Sequence, residues 1–164
     1  MLQLKPLSKG AVPAALAKAE RYRLLNEPDQ AESICLDILT VDPDNQDALV
    51  MLLLALTDLF DDAEASSRAA RAVGEVVLKL RDEYQRSYYA GIICERRGRS
   101  HLRQGRFASA AVEWLREAMS YYERAERLRP SGNDDAVLRW NACARMLMSL
   151  PEPAEMIEEP LQLE

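Results

Sequence analysis

The stretch AESICLDILTVDPDNQDAL, Ala31 to Leu49, decides how this chain is organised. Ala31, Cys35, Ile38 and Leu39 recur at the three- and four-residue intervals of one helical face. Pro43 ends that helix, because its ring lacks an N–H and clashes with the carbonyl one turn back. Asp44 then reads as the cap of the next helix. Asp47 follows as a first-turn acid, favoured by the positive end of the helix dipole. A helix, a stop and a capped restart in so short a span indicate closely connected helices.

Outward from this stretch the chain keeps to helices. Upstream, Pro13 suits a first helical turn, Ala15, Ala19 and Tyr22 recur at helical spacing to about Asn26, and Pro28 opens the second helix. Downstream, a third helix from about Asn45 to Phe60 is apolar almost all round, which implies burial on more than one side. A fourth follows Asp61-Asp62. With no proline between Pro43 and Pro130, its stripe of Val73, Val76, Val77 and Leu80 predicts a helix running past Leu80.

In the fifth helix Gly91, Gly98 and Gly105 sit seven apart. The first two read as points of close helix approach and Gly105 as a terminator. No G-K-[ST] follows, so this is not a phosphate loop. A sixth helix, about Phe107 to Arg129, carries Phe107, Ala111, Trp114, Ala118, Tyr122 and Ala125 on one face, and Pro130 stops it. After a Ser131–Asp135 turn, a seventh helix from Ala136 to Leu150 points Val137, Trp140, Ala144 and Leu147 inward.

Adding 34 to Ala19, Tyr22, Asn26, Ala31, Cys35 and Ile38 lands on Leu53, Leu56, Phe60, Ala65, Ala69 and Ala72, and small or apolar residues meet in five of the six pairs. A third copy falls 45 residues further on, where Gly98, His101, Gly105 and Ala110 follow Leu53, Leu56, Phe60 and Ala65. The excess of 11 residues is about three helical turns, which lengthens a hairpin without turning its buried face far.

In Ala19, Tyr22, Ala31 and Pro43 the chain resembles the tetratricopeptide repeat family, from about Ala11 to Leu150, although Ala15 and Lys18 stand where tryptophan and leucine are typical. The resemblance implies an all-α fold of antiparallel hairpins forming a short right-handed superhelix of about seven helices. It also implies a concave groove, lined by the first helix of each pair, that holds a peptide or partner helix. By register that groove takes Leu16, Glu20, Arg23 and Leu24, then Val50, Leu54, Thr57 and Asp58, then Ile92, Glu95, Arg99, Leu102 and Arg103: an apolar trough with a basic end. The family's carboxylate clamp is missing, since Leu16, Glu20 and Met51 occupy its positions.

Composition sets the remaining limits. A chain of 164 residues fits one domain and buries roughly 70% of its unfolded surface without staples. Residues 1–10 read as a flexible start, 11–150 as the helical domain and 151–164 as an acidic, proline-containing tail. Cys35, Cys94 and Cys143 are too scattered for a metal or redox pair. The longest apolar run, Ala48 to Leu56, is too short to span a bilayer, so a cytoplasmic protein without a membrane role is expected.

The net charge of −6 is unevenly spread: residues 1–65 hold 12 acids and 5 bases, residues 66–129 hold 14 bases and 8 acids, and the tail holds 5 acids and no base. The arginines Arg96, Arg97, Arg99, Arg103 and Arg106 suit an acidic peptide or a phosphate, through guanidinium forks. The acidic whole, with no aromatics between these arginines, disfavours nucleic acid. His101 has no evident nucleophile and acid partner, and reads as a packed core histidine. Asp61-Asp62-Ala63-Glu64 reads as a cap rather than a metal site. The Tyr88-Tyr89 and Tyr121-Tyr122 pairs each point one ring inward and one out.

The expected function is therefore a non-enzymatic scaffold, without cofactor or metal, that binds a protein or peptide of acidic and apolar character. The groove candidates are Arg23, Leu54, Asp58, Arg99, Leu102 and Arg103, with Arg99 and Arg103 anchoring acidic groups while Leu54 and Leu102 bury apolar ones. The alternatives are a small secretion-type chaperone and a self-associating structural protein forming a homodimer. The tail, with Met156, Ile157, Leu161 and Leu163 among its acids, is expected to compete for the groove.

Overall fold

Two prolines begin the fold and one asparagine turns it. Pro13 and Pro28 stand in the first turns of α1 (Val12–Leu24) and α2 (Pro28–Val41). Between them Asn26 adopts a left-handed φ of 60°, which asparagine tolerates better than most residues. The Asn26 and Glu27 amides donate back to the carbonyls of Arg23 and Tyr22, closing α1 with a Schellman pattern. After Pro43 it is Asn45, not Asp44, that caps α3 (Gln46–Asp58): its Oδ1 accepts from the Ala48 amide at 2.9 Å while its Nδ2 donates to Asp42.

The computed structural model describes residues 1–105 and 108–151; Arg106, Phe107 and the tail from Glu152 lie outside the described residues. Among the described residues the chain is all-α, with seven α-helices and a single short 3₁₀ turn at Lys9–Ala11. The others are α4 (Ser66–Val77), α5 (Glu83–Arg103), α6 (Ala108–Leu128) and α7 (Asp135–Ser149). None is long and apolar enough to cross a membrane.

The expected run of α4 past Leu80 does not occur. The helix ends at Val77, and Leu80 drops into the core. Side chains of α3 and α5 supply what a continuing helix would have: Gln46 Oε1 accepts from the Arg81 amide at 2.9 Å, and Arg86 Nη1 donates to the carbonyls of Leu80 and Arg81, each at 2.7 Å. Asp82 then caps α5 through the Gln85 amide.

Neighbouring helices pack in chain order, α1 on α2, α3 on α4, α5 on α6 and α7 on α6, while α1, α3 and α5 also touch in succession. The second helix of each pair carries the same buried ladder: Ala31, Cys35, Ile38; then Ala69, Val73, Val76; then Ala111, Leu115, Ala118. The 34-residue step thus holds from Ala19 to Leu53 in the first helices but slips in the second. The α3–α4 connection spans 59–65 where the α1–α2 connection spans 25–27, and those four extra residues are about one turn, so the face is preserved.

The inserted residues lengthen α5 ahead of Gly98, and α5 and α6 reach 21 residues each. In α7 the buried residues are Ala136 and Cys143, with Trp140 and Leu147 half-buried beside them; Val137 and Ala144 fall one position off this face. Burial pushes the thiols of Cys35, Cys94 and Cys143 each up to about 12 from the usual 9.0. They are packing residues and not nucleophiles.

Gly91 and Gly98 let α5 and α6 meet. A Cβ at Gly91 would lie 2.5 Å from Tyr122 Cε1, and one at Gly98 would lie 2.9 Å from Leu115 Cγ, both closer than van der Waals contact. Gly105, at φ +62°, follows the end of α5 as the terminator expected. We therefore expect Gly91→Ala to lower stability by about 1–3 kcal/mol, since the fully buried Tyr122 ring has nowhere to move. Gly74→Ala, in open space on α4, should raise it by about 0.5–1 kcal/mol. The two urea midpoints should move in opposite directions.

Candidate functional site

On α5, Glu95, Arg96, Arg99 and Arg103 fall at spacings that bring them onto neighbouring turns of one helical stripe. That stripe forms the wall of a cleft of about 720 Å³. The facing walls are Arg23 and Leu24 at the end of α1 and Thr57 and Asp58 at the end of α3. Arg139 of α7 completes it, with Asn26 and Asp61 from the turns. The first helix of every pair and the final helix thus converge on one polar cleft.

Two carboxylates organise its floor. Asp58 accepts from Arg23, through Nε at 2.5 Å and Nη2 at 3.3 Å, and is also paired with Arg96 Nη1. Arg96 Nη1 donates further to Thr57 Oγ1 at 2.7 Å, while Thr57 donates its own proton to the Leu54 carbonyl. One α3 turn therefore fixes an arginine from α1 and another from α5.

Glu95 is the second organiser and is only 1% exposed. Its Oε1 accepts from Arg99 Nε at 2.9 Å and from Arg139 Nη1 at 3.4 Å, and its Oε2 accepts from Tyr122 Oη at 2.6 Å. A buried carboxylate without such partners is costly, and here three donors from α5, α6 and α7 supply them. Burial first, and then the negative charge of Glu95, hold the Tyr122 hydroxyl far above the usual phenol range, so it stays protonated and donates. Burial also lowers the pKa of Arg96; Asp58 opposes this, whereas the charges of Arg23 and Arg139 add to it.

Of the six groove candidates, Arg23, Asp58, Arg99 and Arg103 line this cleft. Leu54 and Leu102 do not. Leu54 packs between two core clusters and Leu102 against one of them, because their side chains fall on the inner side of the helices whose polar stripe faces the cleft. The expected apolar trough with a basic end is thus a polar cleft with arginines on several walls.

The arginine cluster also divides. Arg97 turns away and lies over the Trp114 and Phe60 rings, 4.7 and 5.7 Å from their centroids, while Arg106 is outside the described residues. Tyr88 and Tyr89 are both half-buried, packed edge to face, rather than one in and one out. His101 is half-buried, not enclosed.

Sequence reasoning missed the roles of Arg139 and Tyr122 and the bridging by Arg96. For Arg96 a signal existed, since Arg96, Arg99 and Arg103 keep three- and four-residue spacing and Arg97 breaks it. For Arg139 none did, because it meets Glu95 across 44 residues.

The phenol and thiols predict a pH dependence. Unfolded tyrosine and cysteine release protons near 10 and 9, whereas Tyr122 and the three cysteines hold theirs well above those values when folded. The unfolded chain then binds fewer protons, so stability falls as pH rises above about 9. Urea midpoints should decline from pH 8 to 10.5, and Tyr122→Phe, although less stable at neutral pH, should show the shallower decline. No family model matches the chain, and neither the curated proteins nor the solved structures contain a match.

Proposed function

We propose that the protein is a tetratricopeptide-like interaction scaffold that holds a peptide or partner helix in the cleft between α1, α3, α5 and α7. The observation that carries the reading is the charge of that cleft: five arginines face three carboxylates, with Leu24 exposed at its edge. The succession of α1, α3 and α5 along one side, as first helices of consecutive pairs, supports the family resemblance. Arg99 and Arg103 anchor the acidic groups of the partner. The apolar contact is assigned to Leu24 in place of Leu54 and Leu102.

The test is affinity capture from the native host, with wild type and an Arg99→Gln, Arg103→Gln variant in parallel. Glutamine is chosen at Arg99 because a glutamate there would face buried Glu95. Partners held through the cleft should be recovered on wild type and reduced at least about tenfold on the variant. Equal recovery on both would remove the cleft from the reading.

Self-association has one observation in its favour. Leu138 and Met148 on α7 are 65% and 77% exposed, and both lie outside the clusters that hold α7 to α6. If this helix mediates a homodimer, light scattering should report twice the chain mass for wild type and one chain mass for Leu138→Glu with Met148→Glu. A monomeric wild type would end this second reading.

A further inference from the structure

The cleft carries more positive charge than its own acids balance. Asp58 is shared by Arg23 and Arg96, and Glu95 by Arg99 and Arg139, so each carboxylate is set between two guanidiniums. Arg103 has Asp61 to itself at 2.6 Å. The excess therefore lies in the two arginine–carboxylate–arginine units and amounts to two charges, four arginines less two acids. Because Glu95 and Arg96 are consecutive, the two units adjoin on the same turn of α5.

These arginines also have donors to spare. Arg96 makes its hydrogen bonds with the Leu54 carbonyl, Thr57 and Asp58 all through Nη1, so Nε and Nη2 take no part in them. Arg99 reaches Glu95 through Nε and Nη2, and Nη1 takes no part. Burial is the main reason that Arg96 holds its proton less tightly than usual, and the charges of Arg23 and Arg139 add to that effect while Asp58 opposes it.

We propose that the cleft receives a phosphorylated side chain of a peptide, its phosphoryl group clamped between the Arg23–Asp58–Arg96 and Arg99–Glu95–Arg139 units. The assignment rests on the reading of the cleft as the peptide-binding face and names the chemistry of its ligand. A phosphoryl group carries about −1.5 to −2 charge at neutral pH and three acceptor oxygens, which matches the excess; a single carboxylate leaves one charge unbalanced. The fork of a guanidinium suits such oxygens better than a point cation does. A peptide is favoured over other phosphate carriers on two grounds. Leu24, 79% exposed at the lip, gives an apolar neighbour a surface to cover. The chain's net charge of −6 opposes the approach of a polyanionic strand or an anionic membrane.

The test uses the full chain and three labelled peptides, end-blocked and otherwise identical, with phosphoserine, glutamate or serine between two leucines. Anisotropy titrations should give a phosphoserine peptide bound at least about tenfold tighter than the glutamate peptide. Its affinity should fall as pH drops through about 6, where the phosphate loses its second charge. Inorganic phosphate should compete, and should shift the Nε–Hε signals of Arg96 and Arg99.

Arg139→Gln should weaken phosphoserine binding about tenfold. If that variant fails to fold because Glu95 loses a partner, Arg139→Lys keeps the charge, removes the fork and should still weaken binding. A glutamate peptide bound as tightly as the phosphoserine peptide would overturn the phosphoryl assignment and leave the peptide cleft standing. Inorganic phosphate bound as tightly as the phosphoserine peptide would overturn the peptide part. Binding of none of the probes would overturn the proposal, while the capture experiment above judges the cleft separately.

Discussion

A carboxylate that is almost wholly withdrawn from water needs donors on every side, and Glu95 obtains them from three helices at once. Arg99 comes from its own helix, Tyr122 from α6 and Arg139 from α7. Any change in the relative positions of these helices would strand a buried charge, so this one side chain fixes the registry of the second half of the molecule. Asp58 has a similar but more exposed role in the first half, where it ties α1 to α5 through α3.

Glu95 can meet Tyr122 only because Gly91, one turn earlier on α5, leaves room for the ring. Gly98, nearly one turn later, gives the same room to Leu115. The backbones are thus drawn together on both sides of the buried acid, and the hydrogen bond of 2.6 Å follows from that approach. On the outer turns of the lengthened α5, Tyr88 lies tilted against the fully buried Tyr122 ring, with Tyr84 stacked on Tyr88 and Tyr89 edge to face with it. Excluding water strengthens the Tyr122–Glu95 bond and raises the penalty for breaking it.

Much of this architecture was legible in the sequence. Helix starts were marked by Pro13 and Pro28, and ends by Pro43, Pro130 and Gly105, because these residues act through their own backbone. The end of α4 was illegible for the opposite reason: no local breaker stands there, and the carbonyls and amide beyond Val77 are satisfied by Arg86 and by Gln46 of another helix. The cleft was legible as a stripe on α5, from which Arg99 and Arg103 follow. Its polar character was not, since Arg23–Asp58, Arg96–Asp58 and Arg139–Glu95 join residues 35 to 44 positions apart. A periodicity shows which residues share a face; it does not show which faces meet.

A polar floor of this kind is a weak means of stability. Replacing buried ion pairs with well-packed apolar side chains is often neutral or stabilising by about 1–4 kcal/mol, so stability alone gives little reason to keep four arginines around two acids. What the arrangement retains is positive charge held on rigid supports. Each guanidinium is anchored by part of its donor set, and the helices carrying Asp58 and Glu95 are themselves fixed by the apolar ladders behind them. A ligand that balances this charge would not first have to order the side chains that meet it, and preorganisation of that kind is what distinguishes a binding surface from a merely charged one.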